Sequence, residues 1–170
     1  MELLNLVKDF VDAGGPVLYA VAAVLFVMWT LIFERLWYFS LVYPKDARLL
    51  VAQWDARQDT TSWNAHRIRQ AWISQMSEEL SSGVGFIKTL VAICPMIGLL
   101  GTVTGMITVF EVMAISGTSD PRDMAAGITQ ATIPTMSGMV AALSGLFVAS
   151  RLEFTAKIKA EQLADNMPHH

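Results

Sequence analysis

Three stretches of the chain contain no acidic or basic residue and are long enough to cross a membrane. They comprise residues 16–33, the run from Thr89 to Phe110, and the segment between Asp123 and Arg151. About 20 apolar residues in a helix span the roughly 30 Å hydrocarbon core of a bilayer. The chain is 54% hydrophobic and has a mean hydropathy of +0.45, above the roughly 45–50% apolar content of soluble domains. The sequence therefore predicts an all-α integral membrane protein with three transmembrane helices.

Composition also excludes several classes of function. The net charge is -3 and the basic residues are scattered, which does not suit a nucleic-acid partner. Cys94 is the only cysteine, and its apolar surroundings indicate a small buried residue. The histidines His66, His169 and His170 have no metal-ligand spacing. We expect no metal, no cofactor and no enzyme activity, because the spans lack a constellation of acids, bases or ligands.

The placement of lysine and arginine predicts the orientation of the three spans. Most basic residues lie between residues 34 and 88 or after residue 150, and only Lys8 and Arg122 lie on the opposite side. Cytoplasmic loops carry an excess of basic residues, so the N-terminus is predicted to be periplasmic and the C-terminus cytoplasmic. The predicted segments are a periplasmic amphipathic helix at 1–15, transmembrane helices at 16–33, 89–115 and 124–150, a cytoplasmic helical loop at 34–88, a short periplasmic turn at 116–123 and a cytoplasmic helical tail at 151–170.

The first fifteen residues do not have the pattern of a cleaved signal peptide. Acidic residues occur in this stretch, so we expect no processing. Its apolar residues recur at the spacing of a helix that lies on a membrane surface: Leu3, Leu4, Val7, Phe10 and Val11. We expect Gly14, Gly15 and Pro16 to turn the chain into the first span.

The regions outside the spans are predicted to be largely helical. Apolar residues and tryptophans recur at near-helical spacing over 47–54 and 63–80, and 81–83 reads as a break before the second span. No breaker occurs in the tail before Pro168, so the second and third helices are expected to extend into the cytoplasm. At the start of the third helix, Asp120 is a predicted cap, Pro121 suits the first turn, and Asp123 has a structural role.

Threonine hydroxyls are concentrated in the second and third spans, whereas the first span has one threonine, Thr30, near its end. A helix that faces lipid gains nothing from such groups, so these two spans are predicted to line a shared polar interior. The first span is then the lipid-facing support. Any single threonine has an alternative, because its hydroxyl often bonds to a carbonyl one turn back. The polar residues that indicate this shared interior are Thr89, Thr102, Thr104, Thr108, Thr129, Gln130, Thr132 and Thr135.

Small residues in the same two spans predict close helix packing. Lipid supplies little hydrophobic drive for helix association, so glycines that let backbones approach are favoured at helix interfaces. The predicted packing residues are Pro95, Gly98, Gly101, Gly105, Gly138 and Gly145.

Neither inner span carries a titratable acid or base in its central part. Proton relays in membranes usually depend on an intramembrane carboxylate, histidine or lysine. If protons pass here, another chain must supply the titrating group. Three helices are also too few to enclose a pore, which predicts a ring-like homo-oligomer.

Two motifs carry a family resemblance: "PMIGLLGTVTGM" in the second span and "GITQATIPTMSGMVAAL" in the third, with "IFERLW" after the first span also fitting. The sequence resembles the MotA/TolQ/ExbB proton-channel family, most of all its ExbB members, with TolQ next. The resemblance implies a pentamer in the bacterial inner membrane, in contact with lipid, around an ExbD-type subunit with a transmembrane aspartate. It also implies that the proton motive force is used to drive TonB and import across the outer membrane.

With the resemblance, the predicted pore-lining residues are Thr102, Thr135, Gln130 and Thr132, and three of them match positions of the family. Thr102 matches the family threonine of G-L-L-G-T, and Thr135 matches the threonine of the third span. Gln130 stands where ExbB members often have a glutamate, which implies a hydrogen-bonding pore residue in place of a protonatable one. The alternatives are a TolQ-like subunit of the Tol-Pal system and a passive membrane scaffold. A solute transporter is disfavoured because the three unequal spans show no repeated halves.

Overall fold

A computed structural model describes residues 2–60, 62–117 and 121–167 of the chain. Within these ranges the side chains of residues 3, 4, 6, 7, 10–13 and 116 are outside the description. The predicted apolar face of the N-terminal helix, the cap at Asp120 and the terminal pair His169 and His170 therefore lie outside the described residues.

Every regular element in the described part of the chain is a helix. Three of the helical segments are long and apolar enough to cross a membrane, which confirms the prediction of an all-α protein with three spans. The exact span boundaries and the oligomeric state stay predictions. The elements are α1 (Glu2–Trp37), a π-helical turn (Tyr38–Val42), α2 (Tyr43–Asp55), α3 (Trp63–Ser81), α4 (Val84–Ser116) and α5 (Pro121–Asp165).

Helix α1 is broken where the sequence has Gly14, Gly15 and Pro16. Gly15 has a φ of 68° and a ψ of -168°, which is not helical. A positive φ is readily adopted only by glycine, and proline has no N–H for the helical ladder. The predicted change of direction before the first span therefore coincides with this break.

The helices outside the apolar stretches follow the predicted pattern. Helices α2 and α3 cover the two segments predicted to be helical, and Ser82 and Gly83 separate α3 from α4. Ser62 caps α3, because its hydroxyl oxygen accepts a hydrogen bond from the Ala65 N–H at 3.2 Å. Helix α5 is continuous from Pro121 to Asp165, as the lack of a breaker predicts.

The chain divides into two compact units. The first, called here the membrane unit, contains Met1–Trp29 and Thr89–Leu146, and thus the larger part of each apolar stretch. Its core cluster consists of Val21, Cys94 and Ala141, with partly buried apolar neighbours around them. Large apolar side chains are also exposed on its outside, which suits helices surrounded by lipid, and they include Phe26, Met96, Val103, Val140 and Leu143.

The second unit, called here the loop unit, contains Thr30–Lys88 and Phe147–His170. Its buried side chains are larger than those of the membrane unit and include Trp54, Leu80, Leu163 and Met167. The rings of Trp54 and Trp72 meet edge to face with their centroids 6.4 Å apart. Arg69 donates hydrogen bonds to the carbonyl oxygens of Ala164 and Met167, both at 2.6 Å, which satisfies free carbonyls at the end of α5.

Candidate functional site

Glycines mark the places where α4 and α5 approach most closely in the membrane unit. A Cβ atom built on Gly98 would lie 2.9 Å from the carbonyl oxygen of Pro134, and one built on Gly138 would lie 2.6 Å from the carbonyl oxygen of Cys94. Backbone atoms cannot move aside as a flexible side chain can. Side chains larger than hydrogen are therefore excluded at these two positions.

The other predicted packing residues lie in the same unit. A Cβ on Gly105 would be 2.8 Å from the Cα of Ala131, and one on Gly101 would be 2.5 Å from the Cβ of Pro134. Gly145 lies against the side chains of Met28 and Val91, and Pro95 lies inside α4 without ending it. Both glycines of the α4 G-x-x-x-G thus face α5. Gly101 lies against Pro134, and Gly105 lies one helical turn away against Ala131.

Thr135 links the two inner helices through its side chain. Its hydroxyl donates a hydrogen bond to the carbonyl oxygen of Gly98, with 2.9 Å between the oxygens, and the residue is half-buried. A close approach of the backbones is what allows so short a side chain to reach the neighbouring helix. Thr135 therefore depends on Gly98 for its position.

Thr102 and Thr132 make local bonds instead. The Thr102 hydroxyl donates to the carbonyl oxygen of Leu99 at 2.6 Å, and the Thr132 hydroxyl donates to that of Thr129 at 3.1 Å. A threonine hydroxyl in a membrane helix often bonds in this way to a carbonyl of the preceding turn, without any role in a pore. Each hydroxyl oxygen keeps lone pairs that can accept a hydrogen bond from water or another donor.

Gln130 lies on a different side of α5 from the predicted threonines. At about 100° per residue, it is about 140° round the helix from Thr135 and about 160° from Thr132. Its Nε2 atom would lie 3.2 Å from a Cβ built on Gly15, the residue at which α1 is broken. The structure therefore brings Thr135 of α5 to Gly98 of α4, which lies one helical turn before Thr102. Gln130 does not join this group and lies beside α1.

A cavity near the end of the membrane unit was not predicted. It has a volume of about 220 Å³, and its polar lining residues are Thr108, Asp123 and Gln130. From the sequence, Asp123 is predicted only to have a structural role at the start of the third helix. Asp123 and Gln130 are seven residues apart, which is two helical turns. This spacing is the sequence signal that places both side chains on one face of α5.

The inner spans can bind water but carry no proton-accepting acid or base of their own. Residues 124–150 and 89–110 contain no aspartate, glutamate, histidine, lysine or arginine. In the part of the chain that the structure describes, no group of three or more histidine, cysteine, aspartate or glutamate residues could hold a metal ion. The chemistry available in the spans is therefore hydrogen bonding by hydroxyl, amide and carbonyl groups.

Comparison with known proteins agrees with these features. The model of the MotA/TolQ/ExbB proton channel family matches residues 44–165, which is more than half of the chain. The matched range includes all of α4 and α5, and therefore both polar spans.

Individual relatives match over shorter segments. The chain is 39% identical over 69 residues to a putative biopolymer transport protein, ExbB-like 1, of Synechocystis, covering 39% of this chain and 27% of the relative. It is 31% identical over 86 residues to the biopolymer transport protein exbB1 of Vibrio cholerae, covering 50% and 38%. It is 38% identical over 77 residues to the Tol-Pal system protein TolQ of Haemophilus influenzae, covering 44% and 33%. The matched segments thus span less than half of each relative, and the chain is a multi-pass membrane protein that belongs to the MotA/TolQ/ExbB proton channel family.

Proposed function

We propose that this chain is the ExbB-like subunit of a proton channel in the bacterial inner membrane. Together with an ExbD-type partner that carries a transmembrane aspartate, it uses the proton motive force to energise TonB-dependent import across the outer membrane. The observation that carries this proposal is the α4 and α5 pair, which has hydroxyl groups and the family motifs but no titratable acid or base in its spans.

The chemistry of the two inner spans suits a partner that brings the proton carrier. An ionised carboxylate in a membrane is stable only where other groups solvate it. Hydroxyls such as those of Thr102 and Thr135 can donate to it when it is charged and accept from it when it is neutral. They do so without adding a second charge that must itself be desolvated. Moving one proton through 100 mV releases about 2.3 kcal/mol, which is the driving energy available for each step.

In this proposal several copies of the chain form a ring around the partner helices. Five copies around two partner helices is the arrangement of the family, and we carry it over as part of the proposal. The N-terminus is periplasmic, and the loop unit and the C-terminus are cytoplasmic, in agreement with the excess of basic residues in 34–88 and 151–170.

The proposal is tested first by assembly. The chain is purified in detergent with and without a co-expressed ExbD-type partner, and the mass of the complex is measured. A ring that retains the partner is the expected result. A stable monomer that ignores the partner would contradict the proposal.

The second test is proton-driven uptake by a bacterium that lacks its own ExbB and TolQ. Thr102→Val and Thr135→Val are expected to reduce uptake at least tenfold at equal expression. Thr129→Val is the matched control, because the Thr129 hydroxyl is exposed, bonds to the Ala125 carbonyl of its own helix at 2.9 Å, and is not among the predicted pore-lining residues. A passive scaffold would keep full uptake in all three variants and would lose assembly with Gly101→Leu.

A TolQ-like function is the second candidate, supported by the 38% identity to a TolQ protein. The same bacterium distinguishes the two. An ExbB-like subunit restores TonB-dependent uptake, whereas a TolQ-like subunit restores the resistance of the outer membrane to detergent. Restoring only detergent resistance would replace the ExbB assignment with the TolQ one.

A further inference from the structure

The cavity lined by Thr108, Asp123 and Gln130 lies at the end of the membrane unit where α4 ends and α5 begins. Asp123 is in the first turn of α5 and Gln130 lies two turns further along. Seven residues at 1.5 Å each place them about 10 Å apart along the helix axis. The polar lining thus extends from the first charged residue outside the third span to about one third of the depth of a bilayer core.

Two of these polar side chains have unused hydrogen-bonding capacity. Neither the Asp123 carboxylate nor the Gln130 amide bonds to another residue in the described part of the chain, and both are exposed. Pro134 has no N–H, so the carbonyl of Gln130 also lacks its usual donor one turn ahead. An amide left without partners in an apolar medium is strongly disfavoured. A ligand with donors and acceptors is needed at this place.

Water meets this need. A cavity holds water when it is roomy enough and offers two to four polar partners. This cavity has a volume of about 220 Å³ and offers a carboxylate, an amide and the oxygen of the Thr108 hydroxyl, which already donates to the Thr104 carbonyl. We propose that it is a water-filled vestibule that opens at the α4–α5 turn and ends at Gln130, beside the break in α1.

The vestibule brings water, and with it hydronium, between α4 and α5 as far as Gln130, whose side chain lies beside Gly15. Among the described residues that line it, Asp123 alone is titratable, and its negative charge raises the local concentration of cations at the entrance. If the proposed function holds, the vestibule shortens by about 10 Å the apolar distance that a proton must cross. The presence of water in it does not depend on that function.

Thiol accessibility tests the vestibule directly. In a Cys94→Ala background, Thr108→Cys and Gln130→Cys place thiols in the cavity. Ile107→Cys and Ile128→Cys are the matched controls, because these neighbours are 51% and 47% exposed and do not line the cavity. A membrane-impermeant cationic thiol reagent is applied to spheroplasts and, separately, to inside-out vesicles, so that either orientation is covered. From one side the thiols at 108 and 130 are expected to react at least tenfold faster than the controls, and a smaller ratio from both sides overturns the vestibule.

The role of Asp123 is tested in the same membranes. With the thiol at position 130, Asp123→Asn is expected to lower the ratio of cationic to anionic reagent rates at least threefold, because the entrance loses its negative charge. An unchanged ratio removes Asp123 from the vestibule. Both assays report water access alone, so they can succeed when proton-driven uptake fails, and the reverse also holds.

Discussion

In the membrane unit, α4 and α5 approach through glycines, and a Cβ on Gly138 would lie 2.6 Å from a backbone oxygen. In the loop unit, long side chains join segments far apart in the chain: Arg69 bonds to the carbonyls of Ala164 and Met167, and the Tyr43 hydroxyl bonds to that of Lys159. The first unit excludes side chains from its closest contact. The second unit depends on them.

The two environments explain the difference. Between lipid-surrounded helices the apolar surface gains little from leaving lipid, so close packing of backbones is the main source of association. In water, the burial of large side chains such as Trp54 and Leu80 stabilises the fold. For an aliphatic side chain such as Leu80 the contribution is about 1.5–3 kcal/mol. Long polar side chains there can satisfy helix ends without the cost of an unpaired charge in hydrocarbon.

The largest effect is expected for a single methyl group at the glycine contact. Gly138→Ala forces the backbones of α4 and α5 apart at Cys94 and should lower the free energy of unfolding by about 3 kcal/mol. Gly85→Ala in the loop unit is the matched control, because a Cβ there meets nothing within 4 Å. It should change the free energy of unfolding by less than about 0.5 kcal/mol, because Gly85 lies in the first turn of α4. Denaturation in detergent measures both, and equal effects of the two variants would contradict the comparison.

The next effect concerns the end of α5. Arg69→Met keeps most of the aliphatic length but removes two hydrogen bonds from a charged donor, so it should cost about 2 kcal/mol. Arg48→Met, at an exposed position on α2, should change the free energy of unfolding by less than about 0.5 kcal/mol. Thermal unfolding and limited proteolysis of the C-terminal end measure the loss. A cost no larger than that of the control would mean that this end is held by the buried Leu163 and Met167 alone.

Much of the helix layout follows from local sequence signals. Uncharged apolar runs identify the three spans, the 81–83 segment separates α3 from α4, and the absence of a breaker predicts the continuous α5. The glycines of α4 are predicted from their spacing, because small residues four apart lie on one face of a helix.

Other features could not be predicted because they depend on distant partners. The Arg69 contacts join residues 95 and 98 positions apart, and nothing near Arg69 indicates them. The π-helical turn at Tyr38–Val42 contains no proline or glycine itself, and Pro44 just after it indicates a helix start and not a π turn. The sequence also could not predict which helix the Gln130 side chain lies beside, because this depends on where the break in α1 packs against α5.

A smaller effect is expected from the hydroxyl of Tyr43. It donates to the Lys159 carbonyl at 2.6 Å, and the Lys159 ammonium lies 4.6 Å from the centre of the Tyr43 ring. Tyr43→Phe keeps the ring and removes only the hydrogen bond, so it should cost about 1 kcal/mol. Tyr38→Phe is the control, because the Tyr38 hydroxyl makes only an exposed 3.4 Å bond to Glu79.

The contribution of Tyr43 should depend on pH in one direction. Burial raises the pKa of Tyr43 above its ordinary value of 10.0, so the folded protein favours the neutral hydroxyl. The stability it provides is fully present below pH 10.0 and is lost as the pH rises through the raised pKa. Denaturation curves of the wild type and Tyr43→Phe should therefore differ by a constant amount near neutral pH and converge in strong alkali. Convergence towards acid pH would contradict this account.

The smallest stability effect, and the most informative one, is expected at Thr135. Its hydroxyl is bound to Gly98 on the neighbouring helix, and such bonds average about 0.6 kcal/mol in membrane proteins. Thr135→Val should cost about that much and Thr132→Val almost nothing, since Thr132 bonds within its own helix. Thr135→Ser keeps the hydroxyl and should therefore retain the bond. A loss of about 0.6 kcal/mol leaves nearly all molecules of a stable protein folded, so a tenfold loss of proton-driven uptake in Thr135→Val cannot come from unfolding. Normal uptake with the expected loss of stability would leave Thr135 as a packing residue, and the proton pathway would have to follow other groups.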